Sequence, residues 1–399
     1  MPETTNPILI RHLAPKNFLS FGPDNAGIEL QSLNLFIGPN GSGKSNLIEM
    51  VSLLRAAALD LREVMRIGGG FQQWIWKGAP DAAASLTVEV NNRASMRSNP
   101  IQLLHTLALR TDGQSFAVAD ERIENTKPYP GNETAACFYS LDGGNALVTA
   151  AEHNQLLIAR QKVDVTSSVL AQLKGPAHYP EITYLADIYS RIRIYREWTF
   201  GRRSIFRQPQ PADMRSDRLE EDFSNLGLFL NRLKTRFPVA KKAILAGLTD
   251  LYDGVTDFDV SIEGGTVQVF FTEGDFVIPA TRLSDGTLRY LCLLAILCDP
   301  EPPPLICIEE PELGLHPDIL PKVADLLKAA AERTQIIVTT HSDILVDTMT
   351  ETPECVVVCA KAQGQTTMER LNPDGLAQWL TKYRLGQLWT KGEIGGIRW

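Results

Sequence analysis

Eight consecutive residues, Gly38-Pro39-Asn40-Gly41-Ser42-Gly43-Lys44-Ser45, carry the strongest chemical signal in the sequence. They follow the apolar run Leu33-Asn34-Leu35-Phe36-Ile37 and open a segment with Leu47, Ile48, Val51, Leu54 and Leu61 at helical spacing. Strand, glycine-rich loop and helix form the context in which Gly-x-x-x-x-Gly-Lys-Ser holds phosphate. The glycines let backbone N–H groups turn inward around an anion, and the helix N-terminus adds partial positive charge. In such a loop Lys44 reaches the terminal phosphates and the Ser45 hydroxyl binds Mg²⁺. The competing reading, an ordinary glycine-rich turn, leaves the flanking strand and helix unexplained. The expectation is a nucleotide site for ATP with Mg²⁺.

Three later segments offer groups that suit such a site. Leu305-Ile306-Cys307-Ile308-Glu309-Glu310-Pro311 reads as a buried strand ending in two carboxylates, at the strand end where α/β sheets hold ligands. Glu309 is assigned to the metal and Glu310 to polarising the attacking water; a solvated acidic turn is the alternative. Ile336-Ile337-Val338-Thr339-Thr340-His341-Ser342 is a second such strand. It delivers His341, whose imidazole can bond a γ-phosphate oxygen, although a lone histidine at a strand end is usually structural. Leu283-Ser284-Asp285-Gly286-Thr287 precedes an apolar run to about Cys298. Ser284 is a natural N-cap, and the same helix start, with Gly286, is able to face an anion.

These groups have to be positioned by an α/β fold. Leu305–Ile308 and Ile336–Val338 read as continuous apolar runs of a parallel sheet, joined by a helix over about Pro317 to Arg333. Ile8–Ile10, Asn17–Phe21 and Ile28–Leu30 read as short strands before the loop. Residues from about 84 to 150 alternate polar and apolar, with Asp-Gly and Gly-Gly turns, and from 151 to 252 the pattern is mainly helical. Sustained heptads are absent, which argues against a long coiled-coil arm. The expected organisation is a discontinuous head, residues 1–95 and 255–399. Residues 96–254 form an inserted region, strand-rich and then helical.

Bulk properties narrow the class. The 399 residues are 44% hydrophobic and 22% charged, with formal net charge -8. That composition suits a full globular core and argues against coating nucleic acid by charge alone. The six cysteines include no CxxC pair, the pattern of reduced thiols and not of a disulfide frame or zinc site. No signal-like stretch opens the chain, and its longest strongly apolar run, Tyr290 to Cys298, is about half a membrane span. A cytoplasmic protein without membrane contact is expected.

The motif order resembles the ABC-type ATPases, in which signature motif, Walker B strand and switch histidine follow the P-loop in this sequence. Transporter subunits usually carry Gly-Gly-Gln and Asp-Glu-Pro-Thr, whereas this chain has Ser284-Asp285-Gly286-Thr287 and Glu309-Glu310-Pro311-Glu312. This wording, with Leu313-Gly314-Leu315-His316-Pro317, is similar to the SMC/RecF/OLD-like branch, specifically its small bacterial "predicted AAA-type ATPase" group. Asn17–Phe21 and Gly70-Phe71-Gln72-Gln73-Trp74-Ile75-Trp76-Lys77-Gly78 fit the same group. The resemblance implies a P-loop NTPase fold: an ABC-type head, an antiparallel β subdomain and a mainly helical insertion. It also implies a head-to-tail homodimer formed with ATP, in which Ser284 and Gly286 of one copy complete the site of the other. Gln72 or Gln73 is the candidate for the Mg²⁺-sensing glutamine, and Glu309 stands where many ABC proteins have Asp.

Eight arginines between Arg191 and Arg218 are interleaved with Tyr195, Trp198, Phe200 and Phe206. Arg193, Arg196, Arg202, Arg203 and Arg207 are the candidates for nucleic-acid or partner contacts. The other reading is a solvated face paired with Glu220, Glu221 and Asp222. The resemblance implies a nucleotide-switched dimer acting on DNA or a partner effector, in DNA maintenance or anti-phage defence, with any nuclease or toxin a separate chain. The alternative is an ATP-dependent scaffold or toxin/nuclease regulator that does not touch DNA.

Overall fold

A computed structural model of the chain describes residues 7–92, 101–142, 145–149, 155–158, 163–199, 201, 204–252 and 254–395. Two compact units emerge, one built mainly from Ile8–Ile192 and Glu354–Leu371, the other from Arg193–Pro353 and Asn372–Glu393.

The first, the P-loop unit, contains an eight-stranded antiparallel sheet. Its order is 28–29, 10–16, 84–90, 103–112, 115–125, 137–142, 145–149, 155–158. Ala84–Val90 alternates buried and half-buried residues along its whole length, as a strand with one face on a core must. Leu33–Ile37 is buried throughout and pairs in parallel with Val356–Ala362, in the register Leu35 to Val356 and Ile37 to Val358. That partner turns back antiparallel into Gln365–Arg370. The helix Lys44–Ala58 buries Leu47, Ile48, Val51 and Leu54 and packs against the helix Pro180–Ser190.

Two expectations are corrected here. Leu61 does not continue the loop's helix: Asp60 takes an extended conformation and accepts the Arg62 N–H at 2.9 Å, starting a new helix, Leu61–Ile67. Asn17–Phe21 is a tight turn and not a strand. Asn17 and Leu19 have φ of 55° and 52°, and the Phe21 N–H donates to the Phe18 carbonyl at 2.7 Å. Phe18 and Phe21 are fully buried, so apolar content alone produced the strand reading.

The second, the carboxylate unit, contributes three neighbouring parallel strands, Arg193–Tyr195, Leu305–Glu309 and Gln335–Thr339. Glu309 lies opposite Thr339. A single 3₁₀ turn, Pro317–Ile319, and the helix Leu320–Ala331 form the crossover between the last two strands. Val255–Glu263, Thr266–Glu273 and Phe276–Pro279 make an antiparallel sheet, accompanied by helices Leu226–Arg236 and Pro238–Leu251. The helix Asp285–Leu297 buries every residue from Leu288 to Leu297. A helix apolar on all sides belongs inside a core, and Arg289 is the one charge within that buried stretch. All six cysteines are free thiols. Among the described residues no helix is long and apolar enough to cross a membrane.

Candidate functional site

In the P-loop unit the loop runs from the end of the buried strand Leu33–Ile37 into the helix starting at Lys44. Gly38, Gly41 and Gly43 have φ of 145°, 76° and 103°, values side chains rarely adopt. Two of them are also confined. A Cβ at Gly38 would lie 2.2 Å from the Cys359 carbonyl oxygen, and one at Gly43 only 2.1 Å from Thr366 Oγ1, whereas Gly41 faces open space. The loop is therefore braced from beneath. The Thr366 hydroxyl donates to the Ser42 carbonyl at 2.9 Å and shares a hydroxyl–hydroxyl hydrogen bond of 2.6 Å with Ser20 Oγ. Asn46 Nδ2 donates to Ser20 Oγ at 2.7 Å, and the Thr366 N–H donates to the Ser20 carbonyl at 2.8 Å. The tight turn at Asn17–Phe21 supplies Ser20 to this brace, a role the sequence did not signal.

Lys44 is buried, and its Nζ donates to the carbonyls of Gly38 at 2.8 Å and Pro39 at 3.1 Å. This folds the ammonium over the mouth of its own loop. The Ser42 hydroxyl is buried with no hydrogen-bond partner among the described residues. A buried hydroxyl left so costs about 1–3 kcal/mol, and a phosphate oxygen is the complementary acceptor. Ser45 follows Lys44 in the first helical turn, and a hydroxyl is a hard oxygen donor of the kind Mg²⁺ takes. Gln72 lies in this unit too, its amide donating to Thr111 Oγ1 at 3.1 Å.

In the carboxylate unit the two parallel strands end side by side. Glu309 closes Leu305–Glu309, with Arg196 Nε 3.9 Å from Glu309 Oε2. Glu310 follows with φ of 48°, a left-handed conformation costing a non-glycine residue about 1–2 kcal/mol. Its N–H donates to the Thr339 carbonyl of the adjacent strand at 2.9 Å, and its carbonyl accepts from Arg289 Nη2. His341 Nε2 stands 3.6 Å from Glu310 Oε1, and its N–H donates to Glu312 Oε1 at 2.7 Å. Burial raises the Glu312 carboxyl above its usual range, against hydrogen bonds that lower it. Glu310 and His341 are thus brought together, with Glu312 and Arg289 behind them; neither of these two had been singled out from sequence.

Ser284 caps the helix Asp285–Leu297, its Oγ accepting the Thr287 N–H at 3.1 Å. A Cβ at Gly286 would sit 3.0 Å from the Gly314 carbonyl oxygen, so this helix start packs against the loop that follows Glu310. Asp285 Oδ1 accepts from Arg207 Nη2 at 2.8 Å and Oδ2 from the Gly201 N–H at 3.0 Å. The Arg207 hydrogen bond holds the Asp285 carboxyl below its usual range.

The arginine run divides in an informative way. Arg193 is buried in its strand, Arg196 faces Glu309, and Arg207 grips Asp285 and the Thr281 carbonyl. Arg215 pairs with Asp217, and Arg218 approaches Glu220. Of the five candidates for outside contacts, the three described ones are engaged within the chain; Arg202 and Arg203, with Phe200, lie outside the described residues. Among the described residues no cluster of three or more His, Cys, Asp or Glu side chains is arranged to hold a metal ion.

Residues 183–347 match the family model described as "AAA domain, putative AbiEii toxin, Type IV TA system". That stretch contains Ser284, Glu310 and His341 but not the P-loop. No curated protein matches the chain by sequence. Among solved structures, the chain is similar to the Smc head bound to the C-winged helix domain of ScpA, with TM-score 0.58 and 16% identity over 92% of this chain and 99% of that one. It is also similar to the Pyrococcus furiosus Smc head domain, with an extended coiled coil, bound to the C-terminal domain of ScpA. There the TM-score is 0.56 and the identity 15%, over 94% of this chain and 99% of that one. The Pyrococcus yayanosii Smc head with a coiled coil and joint gives TM-score 0.51 at 12% identity, over 94% and 99%. Identities this low speak to architecture alone: the chain shares the fold of Smc head domains.

Proposed function

We propose that the chain binds ATP at Gly38–Ser45 and hydrolyses it within a nucleotide-dependent head-to-tail dimer. The observation that carries this reading is the P-loop itself. Two glycines admit no side chain, Lys44 is folded across the loop mouth, and the Ser42 hydroxyl is buried without a partner. Lys44, Ser42 and the loop N–H groups hold the phosphates. Ser45 and Glu309 would be the oxygen ligands for Mg²⁺, which when bound would neutralise phosphate charge. Glu310 accepts a proton from the attacking water, and His341, 3.6 Å from it, orients that carboxylate and bonds the terminal phosphate. Ser284 and Gly286, at an exposed helix start, serve the nucleotide of the other copy. Gln72 is the Mg²⁺-sensing candidate in the same scheme.

Dimer closure then acts on an effector. The engagement of Arg193, Arg196 and Arg207 within the chain favours a protein partner, a nuclease or toxin under ATP control, over DNA held by this segment. Seating of ScpA domains on the similar Smc heads supports the same preference. DNA binding through Arg202 and Arg203, in genome maintenance or anti-phage defence, is the second reading.

The test is a set of three variants. Glu310→Gln is expected to retain ATP and accumulate dimer by light scattering. Adding Ser284→Arg returns it to monomer with ATP still bound, and Lys44→Ala loses ATP. A Glu310→Gln protein that stays monomeric and turns over normally overturns the assignment. Salt-dependent duplex binding abolished by Arg202→Glu/Arg203→Glu would move the reading to DNA.

A further inference from the structure

The helix that starts at Ser284 carries its only buried charge one turn in, at Arg289, and that side chain is 1% exposed. Enclosing a guanidinium is costly unless its partners are in place. Beside the charge of Glu312, two of its contacts converge on one dipeptide. Arg289 Nη2 donates to the main-chain carbonyl of Glu310, and its guanidinium carbon lies 4.1 Å from the centre of the Trp198 ring. The Trp198 indole N–H in turn donates to the main-chain carbonyl of Glu309 at 2.9 Å. Trp198 also stacks on Phe223, with ring centroids 5.4 Å apart. Successive carbonyls of Glu309 and Glu310 are therefore held by a stacked Trp–Arg pair. The Glu310 N–H is held separately by the Thr339 carbonyl.

This clamp acts where the backbone is least willing to stay. Glu310 has φ of 48°, and a strained residue persists only where its surroundings over-determine it. Fixing the N–H and both flanking carbonyls fixes the direction of its Cα–Cβ bond, and so the side on which the carboxylate approaches His341. Arg289 stands on the same helix as Ser284 and Gly286, so a shift of that helix start is passed to the Glu310 backbone through one rigid side chain. Burial lowers the Arg289 pKa to about 10, which leaves the group charged at neutral pH.

We infer that Arg289, stacked on Trp198, is a positioning residue that sets the turnover rate by holding the Glu309–Glu310 backbone, without touching nucleotide. The inference rests on the ATPase reading above. Arg289→Ala is expected to lower kcat by about 10- to 100-fold, the scale of a misplaced catalytic group, with KM for ATP within about threefold. Arg289→Lys keeps the charge but loses the planar stack, and recovers only part of the rate; Trp198→Phe keeps a ring and loses the indole donor, with a smaller fall. The decisive measurement is the cycle with Glu310→Gln. If Arg289 works through Glu310, adding Arg289→Ala to Glu310→Gln leaves the residual rate unchanged; a merely structural role lowers it further. Should Arg289→Ala fail to fold, the Lys and Phe variants carry the same cycle. Wild-type kcat in Arg289→Lys and Trp198→Phe, or full additivity, overturns the inference while the ATPase reading stands. Absence of ATP hydrolysis by the unaltered protein, or normal turnover by Glu310→Gln, overturns the ATPase reading instead.

Discussion

Glu310 offers a direct measurement of the strain at the proposed site. Its φ of 48° lies where a Cβ crowds the following carbonyl, at about 1–2 kcal/mol for any residue but glycine. Compare Glu310→Ala with Glu310→Gly. Both delete the carboxylate, so the contact with His341 at 3.6 Å and any part in turnover are lost equally. They differ by one methyl group. Alanine keeps the strain; glycine removes it but adds unfolded-state entropy of about 0.4–1 kcal/mol. The residue is half-buried, so the methyl's burial contributes little. Glycine should therefore be the more stable by about 1 kcal/mol, or about 2–4 °C in the melting of a unit of this size. At an ordinary extended or helical position the order reverses, since alanine there is the more stable. Differential scanning calorimetry of the two proteins reads the sign directly, and both are expected to lack ATPase activity. Glu310→Ala melting at or above Glu310→Gly would refute the argument that this backbone is held against its own preference.

Three further expectations concern other parts of the chain. Gly43→Ala should abolish ATP binding because its Cβ would sit 2.1 Å from Thr366 Oγ1. Thr366→Ala in the same chain removes the two closest atoms, leaving Ser20 Oγ at 2.9 Å and backbone strain of about 1–3 kcal/mol; titration calorimetry should find binding partly restored, and no restoration would show that Thr366 is not the obstacle. In the P-loop unit, fully buried Glu121 accepts from Ser168 Oγ and from the Val169 N–H at 2.8 Å, and faces His105 Nε2 at 3.3 Å. Glu121→Ala should destabilise by about 3–5 kcal/mol, and an unchanged chemical-denaturation midpoint would contradict this. Arg207→Met should lose at most about 1 kcal/mol at pH 7, since Asp285 is more than a third exposed. Because Arg207 lowers the Asp285 pKa in the folded state, this stabilisation is present above the unfolded value near ~3.9. It is lost as pH falls through the folded pKa. The difference between Arg207→Met and the parent should therefore narrow below about pH 4; a constant difference from pH 7 to pH 3 would rule out the pairing.

What the sequence disclosed divides along physical lines. The P-loop was legible because its conformation restricts residue type: positive φ at Gly38 and Gly43 and the closeness of Cys359 and Thr366 admit only glycine. The strands at 305–309 and 335–339 were legible because burial on both faces demands unbroken apolar runs. The Asn17–Phe21 turn was misread for the same reason in reverse. Phe18 and Phe21 are as buried as any strand residue, yet the turn is held by partners far away in sequence, Trp74 and Trp76 for its backbone and Thr366, 346 positions away, for Ser20. The break at Asp60 was equally hidden, since Leu61 continues the apolar spacing while a single side-chain cap to Arg62 restarts the helix. Local patterns report which side chains are buried; they do not report which backbone conformation a distant partner will impose.

The arginines show the same limit in its sharpest form. A guanidinium offers five donors in a fixed fork, and a sequence displays those donors without their acceptors. Read by composition, Arg193, Arg196 and Arg207 beside Tyr195 and Trp198 look like a surface for phosphates and bases. In the fold, Arg196 approaches Glu309, Arg207 holds Asp285, and the arginine that reaches Trp198 is Arg289, from 91 residues downstream. Arg289 drew no notice in the sequence because it sits inside an apolar helix with no neighbouring basic residue. Yet a charge enclosed in such a helix must meet nearly all its partners within the protein, and two of those partners here are the carbonyl of the proposed catalytic glutamate and the ring beside it. A lone arginine in this buried helix therefore points to the backbone of the proposed site, because its burial confines it to acceptors inside the protein.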